Sequence, residues 1–218
     1  EQLLYLAQLK GLSKREAKEK IGNWLQEFEI TDWWDRKVES LSKGMAQKLQ
    51  FIATIVHEPK FLILDEPFSG FDPVNAEVIK DKIAELRDQG TTILLSSHRM
   101  DNVEALCDSL ALINHSEIVM DGTLNSIKES NKTNKYLLKF RGRLSSNELS
   151  VQVPFKVLEE NFKEEINRSE VLIQLEDEDD FKALAIELLN QYDLVSAEER
   201  LPSIKDIFIN TVKGNNHE

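Results

Sequence analysis

Phe61-Leu62-Ile63-Leu64-Asp65-Glu66-Pro67 is a short, unbroken apolar run that ends on two carboxylates. Runs of this length without polar alternation suit strands of a parallel sheet covered on both faces. Thr91-Thr92-Ile93-Leu94-Leu95-Ser96-Ser97 is a second run of the same kind. Between them, Asn75 to Gln89 places Val78, Ile79, Ile83 and Leu86 on one side of a helix, with Gly90 as its C-terminal stop. Strand, helix and strand in that order predict an α/β unit.

Upstream, residues 1 to about 29 read as two helices. Leu3, Leu6 and Leu9 and then Ile21, Leu25 and Phe28 fall at helical spacing, with a break at Gly11-Leu12-Ser13. Ser13 and Glu16 form a capping box for the second helix. A polar turn around Thr31 to Arg36 carries Trp33 and Trp34, and a third helix begins at Ser42 or Lys43 and runs to His57, stopped by Glu58-Pro59. The tryptophan pair suits either a contact surface or half-buried packing.

Downstream, a helix from Met100 to Cys107 leads into Leu110–Ile113 and Glu117–Met120, two short runs that read as a hairpin across Asn114-His115-Ser116. The polar stretch Glu129 to Asn134 reads as a linker. Beyond it, strands at Tyr136–Phe140 and Val171–Leu175 and a helix from Asp179 to Gln191 predict a small α+β domain over 131–218. The acidic stretch Glu176 to Asp180 is a solvated turn whose charge favours the following helix N-terminus.

With 39 acidic against 27 basic residues among 218, the net charge of −12 argues against a broad nucleic-acid footprint. The single cysteine, Cys107, sits in an apolar-patterned stretch as a small hydrophobe, and no disulfide framework exists. No apolar run approaches the roughly 18 to 20 residues that span a bilayer. The chain opens on Glu1 in what reads as the middle of an amphipathic helix, so it is expected to begin partway through a longer product.

A strand end that projects two acids is a device of nucleotide hydrolases: Asp65 would face magnesium, and Glu66 could hold the attacking water as general base. Taken alone, the pair is a weak signal, since acids at strand ends are more often simply solvated. Its neighbours decide. Leu41-Ser42-Lys43-Gly44-Met45 at a helix start, Ser69-Gly70-Phe71-Asp72, and Ser96-Ser97-His98 stand in an order and spacing that resemble the nucleotide-binding domain of ABC transporters. The resemblance runs from residue 1 to about 130. It implies a partial P-loop NTPase domain over 1–130, with a helical subdomain and signature in 1–57 and catalytic strands and hairpin in 58–130.

That resemblance assigns roles. Asp65 matches the magnesium-binding aspartate, Glu66 the catalytic glutamate and His98 the switch histidine. Leu41 to Met45 stand for the Leu-Ser-Gly-Gly-Gln signature, so Ser42, Lys43, Gly44 and Met45 are expected at the γ-phosphate of ATP held by the opposite subunit. A serine hydroxyl and free amides at a helix N-terminus suit an anion; a plain N-cap is the other reading of the same residues. Lys43 replaces a glycine and Met45 the glutamine, as in the branch that drives two-component export. The Lys43 cation either adds to phosphate attraction or points into solvent. Ser69, Gly70, Phe71 and Asp72 match the loop that crosses the dimer interface, and Asp72 with Pro73 also reads as a helix cap. Leu201 to Ile209 resembles the closing motif of an accessory domain in bacterial ABC export ATPases. Pro202 and Ser203 open a short helix there, with Ile204, Ile207 and Phe208 facing inward. His57, His115 and His217 match nothing and receive no role.

No Gly-x-x-x-x-Gly-Lys-Ser/Thr loop occurs in the 218 residues. That loop supplies much of the ATP affinity, so these residues alone are expected to be inactive or very weak. The resemblance implies ATP and magnesium as ligands, a second ATPase subunit in a head-to-tail dimer, and an integral-membrane permease docked beside the helices of residues 1–57. It places the protein in the cytoplasm, peripheral on the inner face of the cell membrane. DNA-repair and chromosome-structure ATPases share the family, but their long coiled coils and basic surfaces are absent here. A non-hydrolysing partner-binding protein derived from an ABC ATPase is the other reading; intact Glu66 and His98 weigh against it.

Overall fold

The computed structural model describes residues 1–214, which form two compact units, Glu1–Leu106 and a second beginning at Cys107.

In the first unit, α1 (Gln2–Leu9) ends at Gly11, whose φ of +96° turns the chain into α2 (Lys14–Glu27). The capping box forms as the sequence predicts: the Glu16 amide donates to Ser13 Oγ at 3.3 Å, and the Ser13 amide to Glu16 Oε2 at 2.9 Å. These bonds satisfy amides that the helix itself leaves unpaired. Ala17, Ile21 and Leu25 recur every four residues and are buried. Trp33 is half-buried against this core while Trp34 is exposed, so the pair divides between packing and surface. α3 (Lys43–Ile55) buries Phe51, Ile52 and Ile55 and ends two residues short of His57, ahead of Glu58 at φ +53°.

β1 (Phe61–Asp65), α4 (Pro73–Asp88) and β2 (Thr92–Ser96) make the strand, helix, strand unit, followed by α5 (Met100–Leu106). β1 and β2 pair in parallel from Phe61 opposite Thr92 to Asp65 opposite Ser96. Leu62 and Leu64 enter one core with Ile52, Ile55, Ile79 and Ile83. The expectation that these strands are covered on both faces fails. Phe61, Ile63 and Leu94 are exposed, because among the described residues these two strands make the whole sheet and its buried core lies on one side.

In the second unit, β3 (Ser109–Asn114) and β4 (Glu117–Thr123) form the expected hairpin. His115 and Ser116 both have positive φ, as a two-residue type I′ turn requires. α6 (Leu124–Ser130), capped by Thr123, occupies the start of the stretch read as a linker. The hairpin and α6, grouped with the first part in the sequence reading, belong to this second unit. β5 (Lys135–Arg141), β6 (Phe155–Lys163), β7 (Arg168–Leu175) and β8 (Leu194–Glu199) then build an antiparallel sheet in the order β6-β7-β5-β8. Tyr136, Leu138 and Phe140 alternate with Val171, Ile173 and Leu175 on its buried face, together with Leu184 and Leu188 of α7 (Asp180–Gln191). Tyr136 stacks on Phe181 with centroids 4.1 Å apart. α8 (Ile204–Gly214) is capped by Ser203, whose Oγ receives the Asp206 amide at 3.1 Å. Ile204 and Ile207 are buried and Phe208 half-buried. Cys107 is half-buried, and His217 lies outside the described residues.

Candidate active site

The parallel register brings the ends of β1 and β2 side by side, and the predicted residues Asp65, Glu66 and His98 converge there. Glu66 follows β1 and His98 follows β2. The His98 amide donates to Glu66 Oε1 at 2.8 Å, and His98 Nδ1 lies 2.7 Å from the same oxygen. The His98 side chain is 75% exposed and that of Glu66 33%, so the dyad opens to solvent.

Glu66 takes φ +45°, in the left-handed region that costs an L-residue about 1–2 kcal/mol. Surrounding bonds hold it there. Its amide donates to both Ser96 O at 3.3 Å and Ser96 Oγ at 3.1 Å, and its carbonyl accepts from the Ser69 amide at 3.0 Å. Phe68, buried between them in sequence, anchors the turn in the core. Backbone strain maintained in this way is found at functional sites. Ser96 Oγ also donates to Asp65 Oδ1 at 2.5 Å.

Asp65 is exposed at the strand end, and among the described residues nothing bonds its Oδ2. One carboxylate with a free oxygen fits magnesium, which keeps several waters and is commonly held by one or two carboxylates together with substrate phosphates.

The residues read as the signature sit at the N-terminus of α3. Ser42 Oγ receives the Met45 amide at 3.3 Å, which leaves the hydroxyl proton available to donate. A Cβ on Gly44 would meet nothing within 4 Å, so the chain's own packing does not need this glycine and space is open over the helix end. Lys43 is exposed, but its stem runs beside the loop after β1: a Cβ on Gly70 would lie 3.1 Å from Lys43 Cε. Gly70 has φ +84°. The Gln47 side-chain amide donates to Ser69 O, joining the same loop to α3. Asp72 caps α4 through the Asn75 amide at 3.0 Å, and hydrogen bonds from the Asn75 side chain and amide hold its carboxyl below the usual range. Phe71 is half-buried against the core.

The fold therefore gathers Asp65, Glu66 and His98 into one hydrogen-bonded group and sets Lys43 against Gly70. Among the described residues, no hydrogen bond joins Ser42 or Gly44 to that group. The sequence reading missed Ser96 and Gln47. A serine closing an apolar run gives no sign of which residue it will face, since that depends on register. Gln47 carries no cue beyond its place two residues after Met45.

Comparison with known proteins bears on this arrangement. Residues 1–69 match the family described as ABC transporter, and residues 122–212 match the C-terminal domain of DrrA1-3-like ATP-binding proteins. An uncharacterized ABC transporter ATP-binding protein of Alkalihalophilus pseudofirmus is 42% identical over 212 residues, covering 97% of this chain and 76% of that protein. This chain belongs to the family of ABC transporter ATP-binding proteins. Among other ABC ATP-binding proteins, YhaQ of Bacillus subtilis is 44% identical over 176 residues, or 76% of this chain and 59% of YhaQ. The daunorubicin/doxorubicin resistance ATP-binding protein DrrA of Streptomyces peucetius is 33% identical over 161 residues, or 70% of this chain and 49% of DrrA. A solved ATP-binding subunit of an ABC transporter superimposes with a TM-score of 0.53 at 30% identity, over 59% of this chain and 55% of that one. No helix among the described residues is long and apolar enough to cross a membrane.

Proposed function

We propose that these residues serve ATP hydrolysis in the subunit that powers an ABC exporter, with Glu66 as general base and His98 as its positioning partner. The observation that carries the reading is Glu66 itself: a strained carboxylate at a strand end, bonded through one oxygen to His98 and open to solvent. A water placed against the other oxygen could lose its proton to Glu66 as it attacks the γ-phosphate. Magnesium, when bound with nucleotide, would neutralise phosphate charge, and Asp65 is the group this chain offers it. Ser42 and the amides around Lys43, Gly44 and Met45 would take the γ-phosphate of the facing subunit's nucleotide, across a head-to-tail dimer. Ser69 to Asp72, tied to α3 through Gln47, would cross that interface.

DrrA, a relative named for drug resistance, supports export as the direction of transport. A separate membrane permease and a position on the inner face of the cell membrane belong to the same proposal. So does a division of labour in which residues 1–130 serve hydrolysis and 131–218 an accessory role. The relatives extend beyond the part matched here, and the phosphate-binding loop is not among these 218 residues. Residues 1–218 alone are accordingly expected to hydrolyse ATP weakly or not at all.

The test is magnesium-dependent ATP hydrolysis by the whole subunit, assembled with its permease. Glu66→Gln should lower kcat by about 10²- to 10⁴-fold, the span of general-base catalysis, while nucleotide binding persists. Hydrolysis that survives the substitution within a few-fold would refute the assignment.

A further inference from the structure

We infer that Ser96 is a positioning residue that sets the metal-facing carboxylate and the general base together; the inference rests on the ATPase reading above. The parallel register places Ser96 directly opposite Asp65. A serine hydroxyl has one proton to donate and two lone pairs with which to accept. Here the proton goes to Asp65 Oδ1 at 2.5 Å, and a lone pair takes the Glu66 amide at 3.1 Å. One oxygen atom thereby fixes the Asp65 side chain and the Glu66 backbone.

Both constraints act on an exposed side chain and on a backbone in the left-handed region. Asp65 is exposed, so no packing limits its rotation, and its free oxygen is aimed only by the bond on the other one. Glu66 sits at φ +45°, a conformation an L-residue leaves unless held. Without the hydroxyl, the Glu66 amide retains only the longer bond to Ser96 O, at 3.3 Å. Hydrogen-bond partners that orient a metal-binding carboxylate typically carry 10- to 100-fold in metal affinity or activity. A serine that merely finished the strand would influence stability and nothing else.

Ser96→Val and Ser96→Thr differ in one group while keeping the same shape, and the exposed position accommodates either. In the whole subunit, Ser96→Val should raise the magnesium concentration for half-maximal hydrolysis about tenfold, the lower end of that range because the site is open to water. It should weaken Mn2+ binding to the nucleotide complex, read by electron paramagnetic resonance, by a similar factor. In the metal-free protein, the Glu66 amide should exchange with solvent about tenfold faster. Ser96→Thr should restore all three. If Ser96→Val leaves ion dependence and Glu66 amide exchange within twofold of the native protein, or Thr behaves like Val, the inference fails. If the native subunit shows no Glu66-dependent hydrolysis, the ATPase reading fails instead, and amide exchange still judges the grip of Ser96 on its neighbours.

Discussion

Replacing Gly70 by alanine tests whether the loop after β1 and the start of α3 are one mechanical piece. Two costs add. At φ +84° a Cβ meets the penalty of the left-handed region, about 1–2 kcal/mol. The same Cβ would lie 3.0 Å from Gln47 Nε2 and 3.1 Å from Gln47 Oε1, closer than ordinary contact. Gln47 must then move, and its bond to Ser69 O is lost at a cost of about 1 kcal/mol. Gln47 Oε1 is buried without a partner, so the side chain has no second anchor to fall back on. Lys43, which also lies near, ends in a flexible stem that shifts at little cost. The sum is about 2–3 kcal/mol. Trp24, Trp33 and Trp34 all lie in the first unit, so tryptophan fluorescence during urea unfolding reports on that unit. In a Gln47→Ala background the contact term disappears, and Gly70→Ala should cost only the backbone term, leaving about 1 kcal/mol of coupling between the two sites. A Gly70→Ala effect below about 0.5 kcal/mol, or additive costs in the double variant, would refute the reasoning.

Two further outcomes follow from burial. Ile173→Ala removes a fully buried side chain from the centre of the four-stranded sheet and should cost about 2–5 kcal/mol, whereas Leu172→Ala, on the half-buried face, should cost less than half as much; hydrogen exchange along β5 and β7 measures both. Burial, with Lys10 and Lys20 nearby, holds His57 below its ordinary value. The folded chain therefore takes up this proton less readily than the unfolded chain. The first unit should be at full stability above about pH 6.5 and should lose stability as pH falls below it. His57→Gln should flatten that slope in fluorescence-monitored unfolding.

Much of the first unit was legible because its signals are local. Ser13 with Glu16, Asp72 with Pro73, and the four-residue recurrence of Ala17, Ile21 and Leu25 each act within one or two helical turns. The grouping of Asp65, Glu66 and His98 was legible for a different reason: motif order and spacing singled out three residues that the fold brings together. The missing pieces were those set by pairing. β6, Phe155–Lys163, carries Lys156, Glu159, Glu160 and Lys163 and occupies the sheet edge, where one side has no partner strand among the described residues. Charge on an edge discourages unwanted pairing, and it also erases the alternation by which a strand is read. β8, at the other edge, ends in two glutamates and escaped notice in the same way. Coverage of β1 on both faces was inferred from its apolar run, but composition does not reveal how many strands flank it. Ser96 was invisible because its meaning lies in the residue across from it.

Glu66 has two oxygens, and the fold treats them differently. Oε1 takes both His98 contacts, from the amide and from the ring, while among the described residues nothing occupies Oε2. One atom serves as a hinge pin, and in the proposed mechanism the other would be the working edge. Because the backbone amide of His98 shares the pin with its ring, cutting back the imidazole leaves the carboxylate still tethered at 2.8 Å. Loss of the histidine side chain should therefore loosen the edge without removing it, a milder injury than loss of the glutamate.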